Sequence, residues 1–263
     1  MLELSRVGLL LRDQDQEYPL DEVREIFAAH RIEVALIDPA AAGDPQIDLV
    51  IAMGGDGTVL KALDTFPTVP TMAINYGTVG FLTAGDRSEL RHIVSLLVEG
   101  KYVVSDRLAL ECSYHGKTRR VINEVIVRVY NRFLHADVYV DETKIRTIKG
   151  DGVVVGTPTG STGFLLATGA PIVMPDVRCM VLDGVNEHNF TSRALILPPE
   201  SRIRLNICDE TREPSIYLTL DGHQLGTLSP GDDLQITQSS RSAKLIYFEP
   251  SYFFSNLTSK LSW

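Results

Sequence analysis

Over the first hundred residues, short apolar runs alternate with stretches of helical period. RVGLLL at 6 to 11, VALID at 34 to 38 and DLVIAM at 48 to 53 read as strands. LDEVREIFAAH at 20 to 30 and SELRHIVSLLVEG at 88 to 100 carry Val23, Ile26 and Phe27, and Leu90, Ile93, Leu96 and Leu97, three and four apart. Such spacing gathers apolar side chains on one helical face. The alternation predicts a Rossmann-like α/β domain whose parallel sheet is covered by helices.

Beyond residue 100 the pattern changes to strand-like stretches parted by turn residues: LALECSY, VINEVIVRVY, DVYVD, GVVVG, CMVLDGV, RIRLNI, IYLTL, DLQIT and KLIYFE. Many strands with few helices predict a mostly antiparallel β-sandwich. The change falls between Tyr102 and Arg107, which gives an α/β domain over 1–103 and a sandwich over 104–247. A last segment, 248–263, has apolar spacing suited to a helix returning to the first domain. Trp263 is expected to pack in the core or an interface.

Composition adds bounds. The 263 residues are 44% apolar and 22% charged, which excludes disorder, collagen and coiled coil and leaves a globular chain long enough for two cores. Lys and Arg number 25 against 34 acidic residues, a net charge of −9, with no basic run; nucleic acid is not an expected partner. Cys112, Cys179 and Cys208 are far apart and show no CxxC spacing, so they read as core residues of a reducing compartment. The N-terminus lacks the features of a signal peptide and no apolar run approaches ~20 residues, which predicts a cytoplasmic protein with no membrane partner.

The sharpest local feature is Gly54-Gly55-Asp56-Gly57-Thr58, between the apolar run LVIAM and the amphipathic VLKAL. Glycines let a backbone approach an anion, and a helix N-terminus offers N–H groups and a positive dipole end. A carboxylate beside phosphates is repulsive unless it binds Mg²⁺ or takes a proton from a nucleophilic hydroxyl. The segment therefore suggests phosphoryl transfer to an alcohol; the plainer alternative is a tight turn with Asp56 capping the helix. GxGxxG is absent, and the GKT at 116 to 118 has Glu111 where a P-loop needs glycine, so it reads as a hairpin turn.

A second segment, DGVVVGTPTGSTGFLLATGAP at 151 to 171, sets hydroxyls and exposed backbone at a strand end. These suit a ribose or purine, with Phe164 as a stacking face, while a polar loop with a small-residue packing helix is the alternative. Asn123 and Glu124 interrupt the apolar VINEVIV. In a continuous strand they point to opposite faces, so at least one needs a buried partner or a ligand.

GGDGT at 54 to 58, INYGTVGFL at 74 to 82, Asn123-Glu124 and DGVVVGTPTGST at 151 to 162, in this order, resemble the blocks of the ATP- and polyphosphate-dependent NAD kinase family, and the tail FFSNLTSKLSW resembles its ending. The resemblance implies transfer of a phosphoryl group from ATP or polyphosphate to the 2′-hydroxyl of the adenosine ribose of NAD, with Mg²⁺ as the divalent cation. Asp56 then matches the general base. Gly54, Gly55, Gly57 and Thr58 would face the phosphates with Lys61. Asn123 and Glu124 would hold ribose hydroxyls, and Phe81 and Phe164 would flank adenine. Thr159, Ser161, Thr162, Gly163 and Ala167 complete the pocket, and Lys149 with Asp151 would reach the dinucleotide from a neighbouring subunit of a homodimer or homotetramer. No residue is assigned as a metal ligand.

The chain departs from the family pattern at three places. STAY with a following serine reads Ser161-Thr162-Gly163-Phe164 and then Ala167, removing two hydroxyls. Val185-Asn186-Glu187 replaces a proline-rich stretch before His188, and the late DGQ reads Asp221-Gly222-His223 with Gln224 one place on. His188 and His223 are left outside the catalytic set, and Asp232-Asp233 and Asp141-Glu142 read as turns. Two rival functions share some of these features: a lipid or sphingoid-type GGDG kinase, which needs an apolar or basic membrane-facing surface, and a non-catalytic NAD-binding sensor, which has no use for Asp56.

Overall fold

The structure, a computed structural model, describes residues 2–12, 18–38, 46–76, 80–189 and 191–261. Gly77, Thr78 and Val79 of the INYGTVGFL run, and Trp263, lie outside the described residues. The chain divides into two compact units, Met1–Asp106 with Ala243–Trp263, and Arg107–Ser242.

The first unit holds β1 (Arg6–Leu11), α1 (Leu20–Ala28), β2 (Glu33–Leu36), β3 (Leu49–Gly54), α2 (Asp56–Thr65), β4 (Thr71–Asn75), β5 (Gly85–Asp86), α3 (Leu90–Val98) and β6 (Val103–Arg107), whose last residue opens the second unit. Twelve strands later the chain comes back with β19 (Ala243–Tyr247) and α5 (Tyr252–Leu261). The sheet runs β2-β1-β3-β4-β19-β6, with β5 beside β4. Pairings of β1 with β2 and β3, of β3 with β4, and of β4 with β5 and β19 are parallel. Every residue of β3 and β4 is buried, as expected of strands covered on both faces. Val23 and Phe27 of α1 and Leu90, Ile93, Val94 and Leu97 of α3 pack into the core of this sheet. The order 2-1-3-4 reverses the direction of winding between β1 and β3, the kind of place where open parallel sheets bind ligands at their carboxyl ends.

The second unit contains β7 (Leu110–Tyr114), β8 (Lys117–Val121), β9 (Glu124–Arg128), β10 (Leu134–Val140), β11 (Thr143–Gly150), β12 (Gly152–Gly156), α4 (Phe164–Thr168), β13 (Met180–Val185), β14 (Leu195–Leu197), β15 (Ile203–Ile207), β16 (Ile216–Leu220), β17 (His223–Leu228) and β18 (Asp233–Gln238). They form two antiparallel six-stranded sheets, β11-β10-β15-β18-β7-β8 and β14-β13-β12-β9-β16-β17, with residues of both in one apolar core. The alternation of Ile203, Leu205 and Ile207 inward with Arg204 and Asn206 outward is the period of a sheet with one wet face. β9, β12 and β13 are instead buried nearly throughout. Their second face carries a smaller core of Ile126, Val154, Val181 and Leu165, the last from α4.

The predicted classes, a parallel α/β sheet and an antiparallel sandwich, hold. Details differ. VINEVIV is not one strand, because β8 stops at Val121, Ile122 and Asn123 form a bend, and β9 begins at Glu124. Cys208 is half-buried, unlike the buried Cys112 and Cys179. The GKT motif lies in the β7–β8 hairpin, where His115 and Gly116 both take positive φ, 46° and 70°, the geometry of a two-residue turn matched to strand twist. Among the described residues no helix is long and apolar enough to cross a membrane.

Candidate active site

In the first unit the GGDGT segment occupies the turn from β3 into α2, at the carboxyl edge of the sheet. Gly54 has no room for a side chain: a Cβ would collide with the Thr58 hydroxyl and lie 2.9 Å from Cβ of Arg12. Gly57 faces open space, which leaves its backbone approachable. Gly55, not Asp56, is the N-cap of α2, so Asp56 is the first helical residue. The N–H groups of Phe81 and Leu82 donate to its two carboxylate oxygens, each at 3.0 Å. The carboxylate is thus oriented by a neighbouring loop, at a helix N-terminus that presents the positive end of the dipole, where the Thr58 N–H donates to the Gly55 carbonyl at 2.9 Å. Thr58 is buried, Phe81 is half-buried, and Lys61 is exposed in the second turn of α2.

In the second unit the TPTGST segment is stitched to the Asn123-Glu124 bend. The Thr157 hydroxyl donates to the Ile122 carbonyl at 2.5 Å, and the Thr157 N–H to the Asn123 carbonyl at 2.9 Å. At Gly160 a Cβ would collide with the Asn123 carbonyl oxygen and lie 2.7 Å from its carbon. Only glycine permits this approach. At Gly163 a Cβ would sit 3.2 Å from Glu124 Oε2 and 3.9 Å from Asn123 Nδ2, so both polar side chains turn toward the same segment rather than to opposite faces.

The Asp221 carboxylate explains the bend, accepting hydrogen bonds from the N–H groups of Ile122, Asn123 and Glu124 at 2.8, 2.7 and 3.3 Å. These donors are withdrawn from a strand ladder, and the extended alternation stops there. Asp221 and Gly222, at φ 50° and 79°, form the two-residue turn between β16 and β17. The Asp-Gly pair between alternating apolar runs was the available signal. The departure from DGQ therefore leaves the aspartate serving the Asn123-Glu124 bend.

Asn123 Oδ1 and Glu124 Oε2 are buried with no hydrogen-bond donor. Burial foremost, and then the Asp221 carboxylate, push Glu124 up to about 7, against the opposing effect of the Phe164 backbone N–H. Two adjacent orphan acceptors in a protein interior are costly unless a ligand supplies donors.

Ser161 is wholly buried, and its hydroxyl donates to the Pro158 carbonyl at 2.7 Å while accepting from the Val173 N–H at 3.0 Å. It therefore holds the loop. Thr159 is buried and accepts from Nη1 of Arg107 at 3.3 Å. Arg107 is only 2% exposed, and nothing in its local sequence marks it as a partner of this loop. The Thr162 hydroxyl, half-buried, donates to the Thr159 carbonyl at 3.3 Å.

Phe164 and Ala167 line a cavity of about 550 Å³ with Arg128, Asp183, Asn186 and Glu187, a size suited to a nucleoside-scale ligand. Lys149 and Asp151 line a different cavity of about 570 Å³ with Tyr130, Phe133 and Arg212. The two are linked through Asn186, whose Nδ2 donates to Asp151 at 2.7 Å. Within one chain Lys149 and Phe164 are therefore not brought into the same cavity. His188 packs edge-on against Phe133 at 4.1 Å.

In one unit a parallel sheet ending in a glycine-rich turn with an oriented carboxylate, and in the other a sandwich with orphan acceptors and a cavity bordered by Phe164, are features of a phosphotransferase that handles nucleotides. Residues 24–102 match the model of the ATP-NAD kinase N-terminal domain and residues 122–248 that of the ATP-NAD kinase C-terminal domain. The chain is 30% identical to the NAD kinase of Moorella thermoacetica over 99% of its own length and 89% of that protein. It is 31% identical to the NAD kinase of Geotalea daltonii over 83% of its own length and 79% of the relative. The chain belongs to the NAD kinase family. Its fold is also that of yeast NADH kinase complexed with NADH (TM-score 0.87, 21% identity, 99% of this chain and 88% of that one). An NAD kinase from Archaeoglobus fulgidus in complex with ATP is similar too (TM-score 0.81, 23% identity, 98% of both chains).

Proposed function

We propose that this chain transfers the γ-phosphoryl group of ATP, or the terminal phosphoryl group of polyphosphate, to the 2′-hydroxyl of the adenosine ribose of NAD, giving NADP. The observation that carries the acceptor assignment is the pair of buried, donor-less oxygens on Asn123 and Glu124, which fit the hydroxyls of a ribose. Asp56 takes the 2′-hydroxyl proton as the oxygen attacks phosphorus, and the bond to the leaving phosphate oxygen breaks. Gly54, Gly55, Gly57 and Thr58 supply backbone and helix N-terminus to the donor phosphates, with Lys61 as a further cation. Phe81 and Phe164 flank adenine, and Lys149 with Asp151 serve a neighbouring subunit in a cytoplasmic homodimer or homotetramer. Either oligomer would have closed symmetry.

Among the described residues no three His, Cys, Asp or Glu side chains converge as a metal site. Mg²⁺ accompanying the phosphates of the donor is the divalent cation proposed for the transfer. Bound there, the ion would neutralise the charge that develops on those oxygens.

The test is NADP formation from NAD, ATP and Mg²⁺, with polyphosphate as a second donor and Asp56→Asn beside the wild type. Wild type should turn over, while Asp56→Asn keeps its NAD affinity within a few-fold and loses roughly 10² to 10⁴ in kcat. Near-normal turnover of Asp56→Asn would refute the role of the base. A wild type that binds NAD without forming NADP would restore the sensor reading.

A further inference from the structure

The Phe81 and Leu82 N–H groups that reach the Asp56 carboxylate belong to a short stretch of backbone that is itself held from the far end of the chain. Phe81 and Leu82 give their N–H groups to the carboxylate. Nδ2 of Asn256, on α5, donates to the Phe81 carbonyl at 3.0 Å, across 175 residues. The Phe81 carbonyl and the Leu82 N–H are two ends of the same peptide unit. An amide donor on the carbonyl fixes the plane of that unit and polarises the N–H that reaches Asp56. The Tyr247 hydroxyl, at the end of β19, donates to the next carbonyl, that of Leu82, at 3.4 Å.

These two donors sit on an anchored support. Phe253 and Leu257 bury the inner face of α5. The Tyr252 ring lies stacked on Tyr247 with centroids 3.5 Å apart and planes 8° from parallel, and its hydroxyl bonds Ser105 Oγ at 3.0 Å. Gly80, just before the stretch, has no slack either: a Cβ there would lie 2.9 Å from the Thr83 methyl and 3.1 Å from Asp56 Oδ1. The Leu82 N–H that reaches the carboxylate thus belongs to a peptide whose carbonyl is held from the C-terminal helix by Asn256.

We propose that Asn256 is a positioning residue for Asp56, acting through the Phe81–Leu82 peptide, with Tyr247 as a weaker second support. This rests on the reading of Asp56 as the base. Rotation of that peptide would withdraw the Leu82 N–H from Oδ1 and let the carboxylate turn away from the acceptor hydroxyl, and such misplacements cost rate rather than binding.

The experiment is a steady-state comparison of wild type, Asn256→Leu, Asn256→Gln, Asp56→Asn and the double variant Asp56→Asn/Asn256→Leu. Asn256→Leu should lose about 10-fold or more in kcat, with KM for NAD and ATP unchanged within about two-fold and an unaltered cooperative melting transition. Asn256→Gln, which retains an amide donor, should recover most of the rate. In the Asp56→Asn background, removing Asn256 should cost nothing further, because the two residues act as one unit. Unchanged kcat in folded Asn256→Leu, with Asp56→Asn inactive, overturns the positioning role and leaves the base intact. The same loss in both backgrounds also overturns it. If Asp56→Asn turns over normally, the base assignment falls and this inference falls with it. Should Asn256→Leu not fold, Tyr247→Phe decides: a loss of about two- to five-fold in kcat is expected, and no loss counts against the proposal.

Discussion

Burial and the facing Asp221 carboxylate push Glu124 up to about 7 from an ordinary 4.5, so around neutrality its proton is linked both to folding and to the ligand. Between those two pH values the folded chain holds a proton that the unfolded chain has lost. Stability therefore falls as pH rises through the window, and above it the full cost, about 3 kcal/mol, is present. Glu124→Gln should match wild type near pH 4.5 and exceed it at pH 8 in denaturant unfolding; equal pH dependence of the two proteins would contradict the linkage. Ribose hydroxyls donating to Oε2 favour the anion, so NAD binding near pH 7 should release a fraction of a proton. Calorimetry in two buffers of different ionisation enthalpy reads that directly. Phe164 and Ala167, which line the cavity, lack two hydroxyls of the family pattern. Phe164→Tyr should tighten NAD binding by about 0.5 to 1.5 kcal/mol, and an unchanged calorimetric Kd would count against adenine at that ring.

At the scale of elements, turns carry more of the candidate site than strands do. The Asp221-Gly222 hairpin turn presents a carboxylate to three N–H groups of the Asn123-Glu124 bend. Asp221→Ala would strand those donors, at a cost of about 3 kcal/mol, and should raise KM for NAD as the bend relaxes. A variant with native stability and native KM would show the bend to be held by something else. The GGDGT turn and the TPTGST loop were readable as glycine-rich strand ends, because a glycine demanded by close backbone approach is a local stereochemical fact. The bend was not readable in that way. Apolar alternation through VINEVIV predicts one strand, and only a carboxylate about a hundred residues away removes the donors a strand would need.

For the whole molecule, the first unit is built from two separated pieces of chain, since β19 and α5 rejoin it after the second unit is complete. β19 inserts beside β4 in the parallel sheet, and α5 buries Phe253 and Leu257. A chain ending before α5 should lose about 3 to 6 kcal/mol of burial and unfold its first unit at lower denaturant than its second; a single unshifted transition would contradict this. The sequence by itself determined the two architectures, the strand-end positions of the glycine-rich blocks and the membership in a kinase family. Periodicity, chain stereochemistry and residue order are properties of neighbouring residues, and they survive without coordinates. Tertiary structure alone decided which groups meet: Asp56 with the Phe81 and Leu82 amides, Asn123 with Glu124 over Gly163, and Asn256 behind the loop that holds the carboxylate. A hydrogen bond is won by whichever donor packing brings within about 3 Å. Across 25 to 175 residues of intervening chain, only the closed fold specifies which donor that is.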